Sequence, residues 1–219
     1  LKEGVPEALR RSTYLHPVYA PDGTVLTDDF PKDHPHHRGL SWMWPNVEVG
    51  GERWSLWDIR GIRQRFERWL DRSTGPDSAR LAVENGWYVG EKKVARERVE
   101  FLIHRATPEG RAIDVRLTFE ATDRPVTLTG ELPSRKGYGG LSLRFAPRTG
   151  TVITTPAGVQ QKDSNLLPFP WADLSGRFGN RLAGAAIFVE ARNPGFPNGW
   201  TLRPYGFLGV AWPGLQPTT

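Results

Sequence analysis

The chain has 219 residues, with 29 Lys and Arg against 24 Asp and Glu and a formal net charge of +5. This length suits one large β domain, so we predict a single domain over residues 1–219. Cysteine is absent, which excludes disulfides, thiolate nucleophiles and Cys-based metal sites. No apolar run approaches the roughly 18 residues of a membrane helix, so no membrane insertion is expected. The basic residues are dispersed rather than gathered on one stripe, which argues against nucleic-acid binding.

The start of the chain leaves its cellular compartment open. It begins at Leu1 rather than at Met and has no signal-peptide pattern, so native N-terminal residues are expected to be missing from it. Either a cytoplasmic or an exported location is compatible with this sequence.

Short segments typical of strands follow one another along the chain, separated by Gly and Pro, from Thr13–Tyr19 and Thr24–Thr27 to Thr201–Trp212. The clearest is Ala112–Thr122, where apolar and polar residues alternate with a period of two. This alternation predicts that Phe119 is buried and that Arg116 is exposed. The number of such segments predicts an all-β fold, with large antiparallel sheets packed face to face as a β-sandwich.

Three of the five histidines lie within four residues, in the segment Phe30–Gly39. Pro35 predicts an extended conformation for His34, and on an extended segment His36 and His37 point in opposite directions. Only one of those two rings is then expected to face a cavity. An imidazole here could act as a general acid or base or contact a substrate, three imidazoles beside Asp33 could bind a metal, and a surface turn is the structural alternative.

Aromatic and polar residues add candidate binding groups. Nine tryptophans are present, and Trp42 and Trp44 share one face of a predicted strand, where they could stack on sugar rings or fill the core. The remaining candidates lie in predicted loops or next to them, and they supply the charged, amide and hydroxyl groups that a carbohydrate or a carboxylate requires. They are Lys136, Arg144, Asp163, and Trp171 and Asp173 in the predicted loop Trp171–Gly176.

Several motifs together resemble a family of bacterial proteins catalogued as PmoA-like. They are Tyr14–Tyr19, which contains His16, Asp33–Leu40, which contains Arg38, Gly139–Leu141 with Arg144, Trp171–Gly176 and Pro204–Gly206. The family name refers to a methane monooxygenase subunit, but the genuine subunit is a helical membrane protein, and this sequence does not fit one.

The resemblance implies a β-supersandwich similar in shape to galactose mutarotase and other sugar-processing proteins. It also implies a carbohydrate substrate and a histidine acid or base, one of His34, His36 and His37. The expected substrate contacts are His16, Arg38, Trp42, Trp44, Lys136, Arg144, Asp163, Trp171 and Asp173.

Our leading hypothesis from the sequence is therefore a carbohydrate-active protein that binds or processes a sugar or sugar-derived substrate in a concave cleft. It requires no cofactor. The alternatives are a carbohydrate-binding or interaction domain without chemistry, and a metal-dependent enzyme at the histidine loop. The sequence does not choose among an isomerase, a hydrolase and a lyase.

Overall fold

Strands form nearly all of the regular structure. A computed structural model describes residues 4–219, and within them the 3-10 turn Glu7–Leu9 occurs but no α-helix. The strands in chain order are β1 (Leu40–Met43), β2 (Asn46–Val49), β3 (Glu52–Trp54), β4 (Arg63–Thr74), β5 (Ser78–Val89), β6 (Lys92–His104), β7 (Ile113–Ala121), β8 (Val126–Thr129), β9 (Gly140–Arg144), β10 (Thr149–Thr155), β11 (Gly158–Gln160), β12 (Ser164–Pro168), β13 (Trp171–Phe178), β14 (Arg181–Phe188), β15 (Gly199–Arg203) and β16 (Phe207–Ala211). The predicted all-β class is confirmed.

The strands pair into antiparallel sheets. One has five strands in the order β1-β9-β16-β15-β12, and another has four in the order β11-β10-β13-β14. Apolar side chains from both build one hydrophobic cluster, for example Leu143, Leu202 and Leu208 from the first and Ile153 and Leu174 from the second. Because these two sheets bury apolar faces in one shared cluster, the structure is consistent with the predicted sandwich.

A second hydrophobic cluster lies beneath the sheet β4-β5-β6-β7. It contains Trp42 and Trp44, Trp87 and Val99 of the long strands, and Phe207 of the five-stranded sheet. The small sheet β3-β2-β8 contributes Val47 and Leu128. The five-stranded sheet therefore contributes residues to both clusters and joins the two parts of the fold.

The hairpin of β6 and β7 follows the predicted pattern. Val99 pairs with Leu117, and the Thr107 N–H donates to the Gly110 carbonyl at 2.9 Å in the connecting turn. Phe119 is half-buried against the second cluster, whereas the Arg116 side chain is 79% exposed. The alternation therefore assigned both faces of this strand correctly.

Two predicted strands near the N-terminus are wrong. Thr13–Tyr19 and Thr24–Thr27 form only isolated bridges, Leu15 with Leu40, Tyr19 with Val25 and Thr27 with Phe145. Pro17 and Pro21 lack the N–H that a continuous ladder requires, which limits this region to single bridges.

The predicted single strand Thr201–Trp212 is two strands, β15 and β16. Gly206, at φ +118°, closes the turn between them by donating its N–H to the Arg203 carbonyl at 2.9 Å. Conversely, the predicted loop Trp171–Gly176 is part of strand β13, in which Ala172 and Leu174 are buried. The strands β2, β11 and β12 were not predicted.

Candidate functional site

The histidine loop is a pair of turns rather than an extended segment. The His34 N–H donates to the Pro31 carbonyl at 3.2 Å, and the His37 N–H donates to the His34 carbonyl at 2.9 Å. Pro35 follows His34 in the second turn, a position whose φ proline already satisfies. The prediction that the His36 and His37 rings point in opposite directions is wrong, because His36 lies inside the second turn rather than on an extended segment, and the two ring centroids are 4.5 Å apart.

The turn brings the three imidazole rings together. The His34 and His37 rings are parallel with centroids 4.7 Å apart, and the His36 ring meets that of His37 edge-on at 4.5 Å. His37 is 2% exposed, and its ring also stacks on the Phe207 ring at 4.6 Å. The outer neighbour of His34 is the Tyr205 ring at 4.9 Å. His37 thus packs in the core, whereas His34 borders the solvent.

His34 has a carboxylate partner of its own. Its Nδ1 lies 2.9 Å from Asp33 Oδ2, and its side chain is 34% exposed. Arg144 Nη2 donates to both oxygens of the same carboxylate, at 2.8 and 2.7 Å. Partial burial disfavours the Asp33 charge, but the hydrogen bonds from His34 and Arg144 and the Arg144 charge lower its pKa to about 2. Asp33 is therefore ionised at neutral pH and can orient the His34 ring.

Asp33, His34, Arg144 and Tyr205 come together because the strands and turns that carry them are neighbours at one end of the five-stranded sheet. Gly39, at the end of the histidine loop, accepts a hydrogen bond from the Arg144 N–H at 2.9 Å. Arg144 pairs with Phe207, and Phe207 pairs with Arg203 across the next ladder. Directly paired residues place their side chains on one face, so this row gathers side chains that are distant in sequence. We call Asp33, His34, Arg144 and Tyr205 the His34 site.

Arg203 and Asp163 border the His34 site. Arg203 Nε lies 3.5 Å from Asp163 Oδ2, and its Nη2 donates to Asn165 Oδ1 at 2.6 Å. The Arg203 side chain is 9% exposed and that of Asp163 is 64% exposed. The predicted residues His34, Arg144 and Asp163 therefore do lie at one end of one sheet, beside a second buried guanidinium.

Two nitrogens of Arg144 are buried without a hydrogen-bond partner among residues 4–219. They are Nε and Nη1. The Arg144 side chain is 8% exposed, and its Cζ lies 4.9 Å from the centre of the Tyr205 ring. His37 Nδ1 is likewise buried and unpartnered within that range. Buried polar atoms are nearly always paired, so these three nitrogens are donors or acceptors that the described residues leave unsatisfied.

Burial keeps two of the histidines neutral. For His37, burial and the neighbouring His36 and His34 rings lower the pKa from 6.5 to about 2. For His36, burial and the Arg11 charge lower the pKa to about 4. Neither group titrates near neutral pH, so neither is suited to accept a proton from a substrate.

The prediction that Trp42 and Trp44 stack on a sugar ring is wrong. Trp42 and Trp44 are each 1% exposed and fill the second hydrophobic cluster. Their indole N–H groups donate inside the protein, Trp42 to Glu97 Oε2 at 3.0 Å and Trp44 to the Trp212 carbonyl at 2.7 Å. Large apolar rings with a satisfied N–H gain more from core burial than from exposure.

Arg38 and Lys136, two of the predicted substrate contacts, make hydrogen bonds within the protein. Arg38 is 1% exposed, pairs with Asp29 at 3.2 Å and donates to the Leu9 carbonyl at 2.7 Å, so it anchors the loop and does not face a ligand. Lys136 lies in a turn, where its side chain is exposed and its own backbone N–H donates to Glu131 Oε2 at 3.0 Å.

Three other predicted residues lie away from the His34 site. Trp171 and Asp173 belong to β13, in the other sheet, where they pair with Phe188 and Ala186. His16 is exposed, with Nδ1 3.0 Å from Thr27 Oγ1, and it lines a groove of about 1320 Å³. That groove contains none of the His34 site. Its lining includes Tyr14, Asp28, Arg63, Gln64 and Arg65.

Sequence reasoning missed Tyr205 and Arg203 as site residues. Both lie at the turn between β15 and β16, in a segment that was predicted to be a continuous strand. Pro204 and Gly206 are a turn signal that could have shown the chain reversing next to the end of β9.

The histidine rings do not form a metal site. Among residues 4–219, no three His, Asp or Glu side chains converge as metal ligands would. The parallel stacking of His34 on His37 aligns ring faces, whereas a shared ion requires ring nitrogens that point toward one centre.

Among residues 4–219, no helix is long and apolar enough to cross a membrane.

The fold and the site define a class of protein: an all-β sandwich with an Asp–His pair held by a buried arginine at the end of its five-stranded sheet. The chain belongs to the DUF6807 family, described as a family of unknown function, whose pattern matches residues 1–218. A search of curated proteins and a search of solved structures each found no match to the chain.

Proposed function

We propose that this protein is carbohydrate-active and that it binds or processes a sugar or a sugar-derived substrate at the His34 site. The observation that carries the proposal is the Asp33–His34 pair with Arg144 on the same carboxylate. Of the three clustered histidines, His34 alone has a carboxylate at Nδ1 and a side chain one-third open to solvent. The PmoA-like resemblance supports a carbohydrate as the substrate class.

The pair supports acid–base chemistry at His34 Nε2. When Nδ1–H donates to Asp33, the neutral ring keeps its lone pair on Nε2 and can accept a proton from a substrate hydroxyl. The ionised Asp33 then stabilises the resulting imidazolium, and Arg144 keeps Asp33 ionised.

The surrounding groups suit a hydroxylated ligand. The half-exposed carboxylates of Asp33 and Asp163 can accept hydrogen bonds from sugar hydroxyls, and the partly exposed Tyr205 adds a phenol. Arg144 and Arg203 are 8% and 9% exposed, and they donate to Asp33 and to Asn165, so they hold the acceptors of the site in place. Because the exposed charged groups are the two carboxylates, a neutral sugar matches this set better than a uronic acid.

Replacing His34 tests the proposal, and His104 supplies a matched control. His104 Nε2 lies 2.8 Å from Asp114 Oδ2 and its side chain is 42% exposed, but it is on β6, remote from the site. We expect His34→Ala to lower turnover of the preferred sugar by about 10²–10⁴-fold, the usual contribution of a general acid or base. If the protein only binds, Kd should rise at least about tenfold. His104→Ala should change neither.

The measurement is a panel of neutral aldoses and uronic acids, followed by calorimetry for binding and by NMR for conversion. Melting curves of both variants should remain close to wild type, because both side chains are partly exposed. Binding without conversion would select a carbohydrate-binding domain over an enzyme. Equal effects of the two substitutions, or no binding across the panel, would contradict the proposal.

A further inference from the structure

Strand β14 has an edge with no strand paired to it among residues 4–219. It is the terminal strand of the sheet β11-β10-β13-β14, and it pairs with β13 without interruption from Arg181 to Phe188. Such an edge presents a row of unpaired N–H and C=O groups that can bind another strand.

The other sheet edges are protected in recognisable ways. Strands β3 and β11 are three residues long, β12 ends in Pro168, and β1 and β8 are bridged by Leu15 and Thr218. Strand β4 has two register shifts against β5, and β7 carries Asp114, Arg116 and Glu120. In contrast, Arg181 is the one charged residue in the eight residues of β14, and the strand lacks proline and a bulge. The usual safeguards against edge pairing are thus missing from β14.

The directions of its backbone groups are defined by one hydrogen bond. The Val189 N–H, next to the strand end, donates to the Pro170 carbonyl on the β13 side at 2.9 Å. In an antiparallel ladder the direction alternates from residue to residue. The N–H and C=O groups of the alternate residues Leu182, Gly184, Ala186 and Phe188 therefore point away from β13, towards the open edge.

The side chains of the same residues make this edge apolar on its outer face. Leu182 is 77% and Phe188 is 74% exposed, the largest values among the exposed large hydrophobic residues in the described part of the chain. Gly184 and Ala186 lie between them and add no charge. Exposed apolar groups on an open strand edge indicate a binding surface.

We propose that β14 binds β14 of a second copy of this chain, antiparallel across a two-fold axis at Ala185. This register keeps the outer faces of both copies on one side, because it pairs residues of equal parity. It places Leu182 opposite Phe188 of the second copy, and Gly184 opposite Ala186. Each of these pairs exchanges two N–H···O bonds through the groups that point to the open edge.

The register also continues the hydrophobic core across the axis. On the inner face, Ala183 comes opposite Ile187 of the second copy, and both side chains already pack against the first hydrophobic cluster. An isologous contact of this kind closes on itself and gives a dimer rather than a fibre. The inference is independent of the His34 site, which lies on the other sheet.

Lysine at the exposed positions tests the dimer. In sedimentation and light-scattering measurements we expect the wild-type protein to be a dimer, and Leu182→Lys and Phe188→Lys each to raise the dimer Kd at least tenfold. Val159→Lys is the matched control, because Val159 is 58% exposed on β11, the opposite edge strand of the same sheet. The control should remain dimeric. All three variants should keep the strand-rich circular dichroism spectrum of the wild type, because the replaced side chains are exposed.

Amide hydrogen exchange locates the interface independently. In the dimer, the amides of Gly184 and Ala186 should be protected, and in Phe188→Lys they should exchange faster while the amide of Ala185, which faces β13, changes little. A monomeric wild-type protein at its highest soluble concentration would overturn the proposal. A dimer that persists in both lysine variants, or one with unprotected Gly184 and Ala186 amides, would also overturn it.

Discussion

The protein should lose stability steeply as the pH falls from 7 to 5, because two buried histidines resist protonation. In the unfolded chain both titrate near 6.5, whereas folding lowers the pKa of His36 to about 4 and that of His37 to about 2. Below pH 6.5 the unfolded state therefore binds protons that the folded state does not. The stability that the neutral rings contribute is fully present above pH 6.5 and is lost as the pH falls towards 4 for His36 and towards 2 for His37.

The expected slope is up to about 1.4 kcal/mol per pH unit for each histidine. Urea unfolding at several pH values between 7.5 and 5 measures it. His37→Phe removes one of the two titrations and keeps an aromatic ring against Phe207, so its slope should be clearly smaller. A free energy of unfolding that stays constant over this range, or a variant with the wild-type slope, would show that the rings are not held neutral by burial. Asp33, with a pKa of about 2, contributes little in this window.

The second large effect is expected at Glu97, a carboxyl that is 0% exposed in the second hydrophobic cluster. Four side-chain N–H groups donate to it, Trp42 at 3.0 Å, Gln64 at 2.9 Å, Trp87 at 2.8 Å and Asn85 at 2.7 Å. Burial raises the pKa of Glu97, and the four hydrogen bonds oppose that shift. The group connects β1, β4, β5 and β6 through a single acceptor.

Replacing Glu97 with Ala leaves these donors unpaired and opens a cavity, so we expect a loss of about 3–5 kcal/mol in the free energy of unfolding. Glu97→Gln keeps one acceptor oxygen and most of the volume, and it should cost less than the alanine variant. Glu100→Ala is the control on the same strand, with a side chain 55% exposed, and should cost under about 0.5 kcal/mol. Similar losses for Glu97→Ala and Glu100→Ala in urea unfolding would contradict this account.

Features of the fold that depend on local pattern could be predicted from the sequence. The alternation in β7 gave its two faces, and the turn composition at Thr107–Gly110 gave its hairpin with β6. The same alternation is present in β13, but the polar and glycine residues of Trp171–Gly176 led to the prediction of a loop. Local composition is thus a weaker guide than periodicity where half of a strand is polar.

The site depended on pairings that no local pattern contains. Arg144 meets Asp33 across more than a hundred residues because β1, β9 and β16 are neighbours in the sheet. Trp42 can be fully buried because its N–H donates to Glu97 on another sheet, and the composition of the sequence does not predict this pairing. The histidine loop illustrates a third limit, since two backbone hydrogen bonds close turns that the proline alone did not predict.

The most direct test of the His34 site is NMR of the histidine side chains during titration with the sugar or uronic acid that binds best. If the ligand binds at the His34 site, the NMR signals of the His34 imidazole nitrogens should shift in proportion to ligand occupancy, while those of His104, in its own pair with Asp114, stay constant. A ligand that binds but leaves His34 unchanged, or that shifts only His16 in the separate groove, would contradict it.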